Sequence, residues 1–198
     1  GVGDLLDGGP GIAAVPGRED LFKEAVEQAC KYSEVLQPIN LNVLPGWPPI
    51  EQFNREQCLN ILANNLEYAA NQLVGTGVKV LVEACNIYDR PEFLVNTSAQ
   101  AIDIIKAINH KNLAFQYDIY HMQIMEGNLV NRIQEIIEYI GHIQFADTPG
   151  RHEPGSGEIN FSHIFKTLDD IGWQGWLGAE YNPSRPTIET LGWLHPYK

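Results

Sequence analysis

The sequence predicts an α/β fold, a parallel (β/α) barrel of the TIM type. Short β-rich runs alternate with longer stretches of helical periodicity, the pattern of a parallel sheet with right-handed crossovers. Several of those runs close on a carboxylate or an amide, which suits a barrel whose strand ends share one mouth. A length of 198 residues suffices for one domain with a real core, so residues 1–198 are read as a single domain.

Taken in order, Gly1 to Gly17 is rich in Gly and Pro and reads as loop. Leu21, Phe22, Ala25, Val26, Ala29 and Cys30 recur at three-to-four spacing, as on one face of a helix. Ile39 to Leu44 reads as a strand closed by Pro45-Gly46. A second helix carries Leu59, Leu62, Leu66, Ala69 and Leu73, and Gly75-Thr76-Gly77 breaks it. Val78 to Glu83 is a compact strand ending on a carboxylate. Thr97 and Gln100 form a capping-box pattern ahead of Ile102, Ile105 and Ile108. The strand Leu113 to Asp118 again ends on a carboxylate. Asn128 is placed to cap a helix striped by Leu129, Ile133, Ile136, Ile137 and Ile140, and the strand Ile143 to Ala146 follows Gly141. Asn160 caps a helix through Ile164, Phe165 and Leu168 that Gly172 stops. Trp176 to Glu180 is the last strand, ahead of a short helix behind Pro186.

A doubly wound sheet fits the same alternation, and the chemistry of the strand ends favours the barrel. Five strands are legible. A complete eightfold barrel takes roughly 250 residues, about 31 per unit. The chain therefore holds about six units, and it is expected to lack the first two.

Composition narrows the function. Hydrophobic residues make up 44% and charged residues 19%, as in ordinary globular chains. The formal net charge is −12, with 25 acidic against 13 basic residues. A surface so acidic repels phosphate backbones, so no nucleic-acid partner is expected. No run of about 18 apolar residues occurs, so no membrane span is expected, and Gly1 to Pro10 lacks the pattern of a signal peptide. Cys30, Cys58 and Cys85 are odd in number, widely spaced and without a CxxC pair. They read as reduced thiols of a cytoplasmic protein. Trp173, Trp176 and Trp193 are expected to pack in the core and at the barrel rim. Gly155-Ser156-Gly157 lacks the Lys-Ser/Thr of a phosphate loop, and no GxSxG occurs.

Four residues stand at or near the ends of successive strands: Glu83, Asp118, Gln144 and Glu180. Their intervals are 35, 26 and 36 residues, each about one βα unit. In a barrel such strand ends converge, and four oxygen-bearing side chains gathered there suit one hard divalent cation, Mg²⁺ or Mn²⁺. Without a cation, three carboxylates so close would repel, and at least one should take up a proton. Singly, each of these residues is equally a turn former or a helix cap. His121, three residues after Asp118, is a second ligand, a hydrogen-bond donor to substrate, or a surface histidine. His142, two before Gln144, points to the same side of its strand if the strand begins there, as a site residue or a packing one. The turn-rich segment from Asp147 to Glu158 follows the Gln144 strand, at the face where barrel loops hold substrate. Within it, Arg151 offers a planar fork for a carboxylate.

Three long segments stand out: Gln116-Tyr117-Asp118-Ile119-Tyr120-His121-Met122-Gln123-Ile124-Met125-Glu126-Gly127, Gly141-His142-Ile143-Gln144 and Pro149-Gly150-Arg151-His152-Glu153-Pro154-Gly155. They resemble the hydroxypyruvate isomerase family, within the wider xylose-isomerase-like barrels. Gly157-Glu158-Ile159-Asn160, Glu180-Tyr181, Leu191-Gly192-Trp193-Leu194 and Val15-Pro16-Gly17-Arg18 extend the likeness over nearly the whole chain. The resemblance implies that Glu83, Asp118, Gln144 and Glu180 ligate one divalent metal, and that Glu83 and Glu180 double as the acid–base pair. It implies interconversion of hydroxypyruvate and tartronate semialdehyde, or of related 2-oxo sugar acids, by proton transfer through an enediolate. Arg151, His121 and His142 are then expected to face the sugar-acid substrate. The family's usual Glu-Pro-Ile-Asn is Glu83-Ala84-Cys85-Asn86 here, which keeps the ligand and Asn86. Three alternatives stand beside this reading. One is a ketose or sugar-acid 3-epimerase, although such barrels commonly carry histidine where Gln144 stands. Another is a DNA-repair endonuclease, which needs a histidine-rich zinc cluster and a basic groove. The third is a shortened metal-binding form without activity. Assembly into a homo-oligomer is left open.

Overall fold

The computed structural model of the chain describes residues 11–48 and 50–197. Residues 1–10 of the loop expected over Gly1 to Gly17 lie outside them. Five parallel strands run in sequence order: β1 (Asn40–Val43), β2 (Lys79–Glu83), β3 (Leu113–Asp118), β4 (Ile140–Phe145) and β5 (Leu177–Ala179). The sheet curls into part of a barrel wall, which bears out the predicted fold class. Seven α-helices are described: α1 (Glu19–Leu36), α2 (Arg55–Leu73), α3 (Ser98–Ile108), α4 (Ile119–Met125), α5 (Leu129–Ile136), α6 (Phe161–Asp170) and α7 (Thr187–Thr190). Among the described residues no helix is long and apolar enough to cross a membrane.

Alternation along the strands sorts the side chains. Val80, Val82, Phe115, Tyr117, Ile143 and Phe145 are buried and share one core with Leu62, Leu66, Ile105, Ile133 and Leu168 of the helices. Each aliphatic or aromatic side chain so withdrawn from water contributes about 1.5–3 kcal/mol. The intervening positions face the concave side: Leu81 and Ala114 are apolar there, and Asn42, Gln116, His142 and Gln144 are polar. The convex face of the sheet thus serves stability, and the concave face carries the polar groups.

Helix starts follow local hydrogen bonding. Asn54 and Gln57 form a reciprocal capping box at α2, with Oδ1 of Asn54 accepting from Gln57 N–H at 2.8 Å. Thr97 caps α3 as expected, but Gln100 reaches back to the N–H of Asn96, one residue short of the box. Asn160 caps α6 through His163 N–H. Asn128 does not cap α5: it is left-handed (φ +48) and its side chain bonds Asn131 instead.

β3 keeps its expected bounds, β1 and β2 are trimmed by a residue at their ends, and β4 and β5 differ most from expectation. β4 begins at Ile140, because the isoleucines of its approach satisfy helix and strand spacing alike; α5 ends at Ile136 and a 3₁₀ turn intervenes. β5 is only three residues long, and one ladder bond, Glu180 N–H to Phe145 C=O at 3.0 Å, carries the pairing to Glu180. Trp176, expected in the core or rim, is 74% exposed. A bulge interrupts the β3–β4 register: Phe115 faces Ile140 and Gln116 faces His142, with Gly141 as the extra residue. A Cβ on Gly141 would lie 2.6 Å from Leu81 Cδ2 and 2.9 Å from Ala114 Cβ, so only glycine fits there undisturbed.

Candidate active site

The register of the ladders brings the strand-end residues to one side. Glu83 pairs with Gln116, Asp118 with Gln144, and Gln144 with Gly178, two residues before Glu180. Since side chains alternate along a strand, Glu83, Asp118, Gln144 and Glu180 all project from the concave face. Glu83 and Asp118 are buried, whereas the Glu180 side chain is half exposed at the end of the edge strand.

Each carboxylate has a distinct environment. Glu83 Oε2 accepts from Asn42 Nδ2 at 2.6 Å. Burial, and then the negative charge of Asp118, push the Glu83 carboxyl up to about 8. Asp118 closes β3 and opens α4, and its Oδ1 accepts the Tyr120 N–H at 2.8 Å. Its Oδ2 is buried without a hydrogen bond. Arg151 Nη2 stands 3.5 Å and His121 Nε2 3.7 Å from that oxygen. Burial raises the Asp118 carboxyl as well, and the Arg151 guanidinium pulls it back. Arg151 Nη2 donates to Glu180 Oε2 at 2.8 Å, and its guanidinium lies 5.1 Å from the centre of the Tyr120 ring.

His121 is held as a neutral donor. Its Nδ1 accepts the backbone N–H of Asn86 at 3.1 Å and lies 2.7 Å from Asn86 Nδ2. The ring proton therefore sits on Nε2, toward Asp118. Burial, then Arg151, depress the imidazole to about 3. Asn86 and the Tyr120 hydroxyl both donate to Asp89 Oδ2, which ties the segment after β2 to α4.

Gln144 and His142 lie lower on the curl. Gln144 Oε1 accepts from Gln116 Nε2. Both line a cavity of about 430 Å³ with Asn40, Asn42, Leu81 and Trp176. Gly178 opposes them: a Cβ there would come within 3.1 Å of His142 Nε2. Glu83, Asp118, His121, Arg151 and Glu180 thus form one cluster, with Gln144 beside Asp118 and His142 on the cavity wall below.

In donor chemistry the cluster suits a hard cation. Asp118 Oδ2 is buried without a hydrogen bond, and the Arg151 nitrogen 3.5 Å away is bonded to Glu180 instead. The four strand-end residues offer only oxygens to a metal, as hard divalent ions prefer. Among the described residues, the grouping whose potential ligand atoms all lie within 4.8 Å of one another is Glu83, Cys85 and His121. Burial pushes the Cys85 thiol up, and a thiol is a softer donor than a hard divalent ion prefers, so in donor chemistry that trio is the poorer cage.

Four residues that the sequence does not assign to the site complete it: Asn42, Gln116, Asn86 and Asp147. Asn42 and Gln116 had a visible signal, polar residues alternating with apolar ones inside a strand. Asn86 and Asp147 look like ordinary turn formers, and their contacts leave no mark in the linear sequence.

Comparison with known proteins identifies the family. Residues 6–197 match the family described as Xylose isomerase-like TIM barrel, and the chain belongs to that family. Among its relatives is a hydroxypyruvate isomerase of Escherichia coli (strain K12), 42% identical over 197 residues, which cover 100% of this chain and 76% of that protein. A 2-oxo-tetronate isomerase of Cupriavidus necator is 39% identical over 98% of this chain and 75% of its own length. A crystal structure of a Brucella melitensis protein called AP endonuclease, family 2, superposes with a TM-score of 0.94 at 36% identity, covering 100% of this chain and 76% of that one.

Proposed function

We propose that the chain is a divalent-metal-dependent isomerase interconverting hydroxypyruvate and tartronate semialdehyde, or a closely related 2-oxo sugar acid. The relatives named as isomerases support the reaction class. One observation carries the reading: two glutamates in contrasting environments flank Asp118, Glu83 buried and raised, Glu180 half exposed and paired to Arg151. Two carboxyl groups in unlike surroundings suit a reaction that removes a proton from one carbon and returns one to its neighbour.

Glu83, Asp118, Gln144 and Glu180 would hold the cation, Mg²⁺ or Mn²⁺. When bound, it supplies Lewis acidity to the ketone and hydroxyl oxygens of the substrate. One glutamate takes a proton from the hydroxymethyl carbon, leaving a planar enediolate. The other returns a proton to the former ketone carbon, and the hydroxyl proton passes between the two oxygens, so the net change is an isomerisation. Arg151 holds the substrate carboxylate by its planar fork. His121, kept neutral, donates from Nε2 to a substrate oxygen without competing for the metal. His142 lines the pocket wall below.

Glu180→Gln and Glu83→Gln are each expected to cut turnover by about 10²–10⁴-fold with the fold intact by circular dichroism. Chelation should abolish activity, and Mg²⁺ or Mn²⁺ should restore it. Wild-type turnover in either variant, or full activity in excess chelator, overturns the assignment. Product analysis with hydroxypyruvate, 2-oxotetronate and ketohexoses separates this isomerase from a 3-epimerase. Nuclease chemistry, suggested by the name of the Brucella protein, is disfavoured by the net charge of −12.

A further inference from the structure

Asp147 is fully buried immediately after β4, and it plays no part in the acid–base scheme. Its two carboxylate oxygens accept four backbone N–H groups. Oδ1 takes those of Thr148 at 2.9 Å and Ile159 at 3.1 Å; Oδ2 takes those of Gly155 and Gly157, both at 2.9 Å. The donors lie at both ends of the loop 148–159, so one side chain ties the loop shut at its base. The Asp147 N–H also donates to His152 C=O at 2.9 Å. Gly157 is part of the same knot, since a Cβ there would collide with the Thr148 carbonyl oxygen and lie 2.6 Å from Asp147 Oδ1.

Within this loop stands Arg151, left-handed with φ +55, a conformation that L-residues adopt uncommonly and that local contacts must support. The knot closes the loop at its base, and contacts beyond it add to the constraint. Asn182 N–H donates to Arg151 C=O at 2.7 Å, His152 Nδ1 lies 2.7 Å from Asn182 C=O, and Ser184 N–H and Oγ donate to the Glu153 carboxylate. The loop is thereby stapled to the segment that follows Glu180. The guanidinium arrives 2.8 Å from Glu180 and 3.5 Å from Asp118 with its backbone already set.

We infer that Asp147 is a positioning residue: by closing the loop 148–159 it presets Arg151 over Asp118 and Glu180 as the receptor for the substrate carboxylate. The carboxylate-receptor part rests on the proposed function; the presetting of Arg151 does not. Asp147 touches no reacting atom and acts through Arg151 alone. An aspartate is required because four N–H donors need two acceptor oxygens. The amide introduced by Asp147→Asn would turn its NH₂ toward two N–H groups and lose a pair of these bonds.

The test compares wild type, Asp147→Asn, Arg151→Ala and the double variant. Crystal structures are one arm. In Asp147→Asn the Arg151 guanidinium should leave Glu180, with β1–β4 unchanged; an Arg151 still within hydrogen-bond distance of Glu180 overturns the inference. Calorimetric binding of tartronate, an unreactive hydroxy-diacid, to the Mn²⁺-loaded protein is the second arm. Asp147→Asn and Arg151→Ala should each weaken it about tenfold or more, with no further loss in the double variant. Multiplying losses would show that Asp147 acts by general destabilisation, against the inference. If wild type and Arg151→Ala bind tartronate equally, the carboxylate-receptor reading fails, and the crystal structures still decide whether Asp147 sets Arg151. Should Asp147→Asn not fold, Gly157→Ala probes the same knot from the opposite strand of the loop. It is expected to displace Arg151 likewise, and an undisturbed Arg151 there counts against the inference.

Discussion

Glu83 shows how burial and charge set the behaviour of one residue. Its carboxyl is raised by desolvation and by Asp118, and the Asn42 hydrogen bond only partly offsets this. A group whose folded pKa, about 8, exceeds its ordinary value of 4.5 ionises first in the unfolded chain. Its contribution therefore favours the metal-free fold at low pH and is lost as pH rises from about 4.5 to about 8. Melting temperatures of chelated protein should fall across that window and level off above it. Saturating Mn²⁺ should flatten the slope, because the cation replaces the proton, and metal affinity should climb with pH over the same range. A chelated protein whose melting temperature is flat from about pH 5 to about pH 8 contradicts this account of Glu83. Glu153 titrates in the opposite sense: Ser184 holds it at about 2, below its ordinary value of 4.5, so any support it lends the loop is present above pH 4.5 and lost as pH falls toward 2.

Among the elements, β4 carries the greatest constraint. Its bulge at Gly141 brings both His142 and Gln144 to the concave face, and Gly141 itself must pass above Leu81 and Ala114 without a side chain. Leu81 can turn its terminal methyl aside, but the Ala114 Cβ moves only with β3. Gly141→Ala is expected to cost about 1–3 kcal/mol, read as a lower denaturation midpoint in urea. Since Gln144 would be re-aimed, metal affinity should fall along with stability. A variant as stable as wild type would mean that the bulge tolerates a side chain. Its neighbour β5 is short and exposed, held by three paired residues and the single bond to Phe145.

Across the described molecule, order therefore runs down from the middle of the sheet to its edge. β2 and β3 are buried almost throughout, whereas Ala179 and Glu180 are exposed. Backbone amides of β2 and β3 should exchange slowest and those of β5 among the fastest, measured by hydrogen–deuterium exchange with mass spectrometry. Adding Mn²⁺ should slow exchange at Leu177–Glu180 most, because a cation linking Glu180 to Glu83 and Asp118 would pin the edge to the buried centre. Uniform exchange across the sheet, or no response at β5, argues against a shared cation.

The linear sequence determined the alternation of strands and helices, the parallel sheet and the four strand-end residues. Each of these follows from the spacing of apolar residues and from chain connectivity, which are local properties. It misjudged the start of β4, where isoleucines at ambiguous spacing fit helix and strand alike, and the burial of Trp176, because side-chain type does not report what packs above it. Only the tertiary structure decided that His121 donates from Nε2, that Arg151 stands between Asp118 and Glu180, and that Asp147 closes the loop beneath it. Those facts depend on hydrogen bonds between groups that are well separated along the chain, whose geometry comes into being only when the strands are side by side.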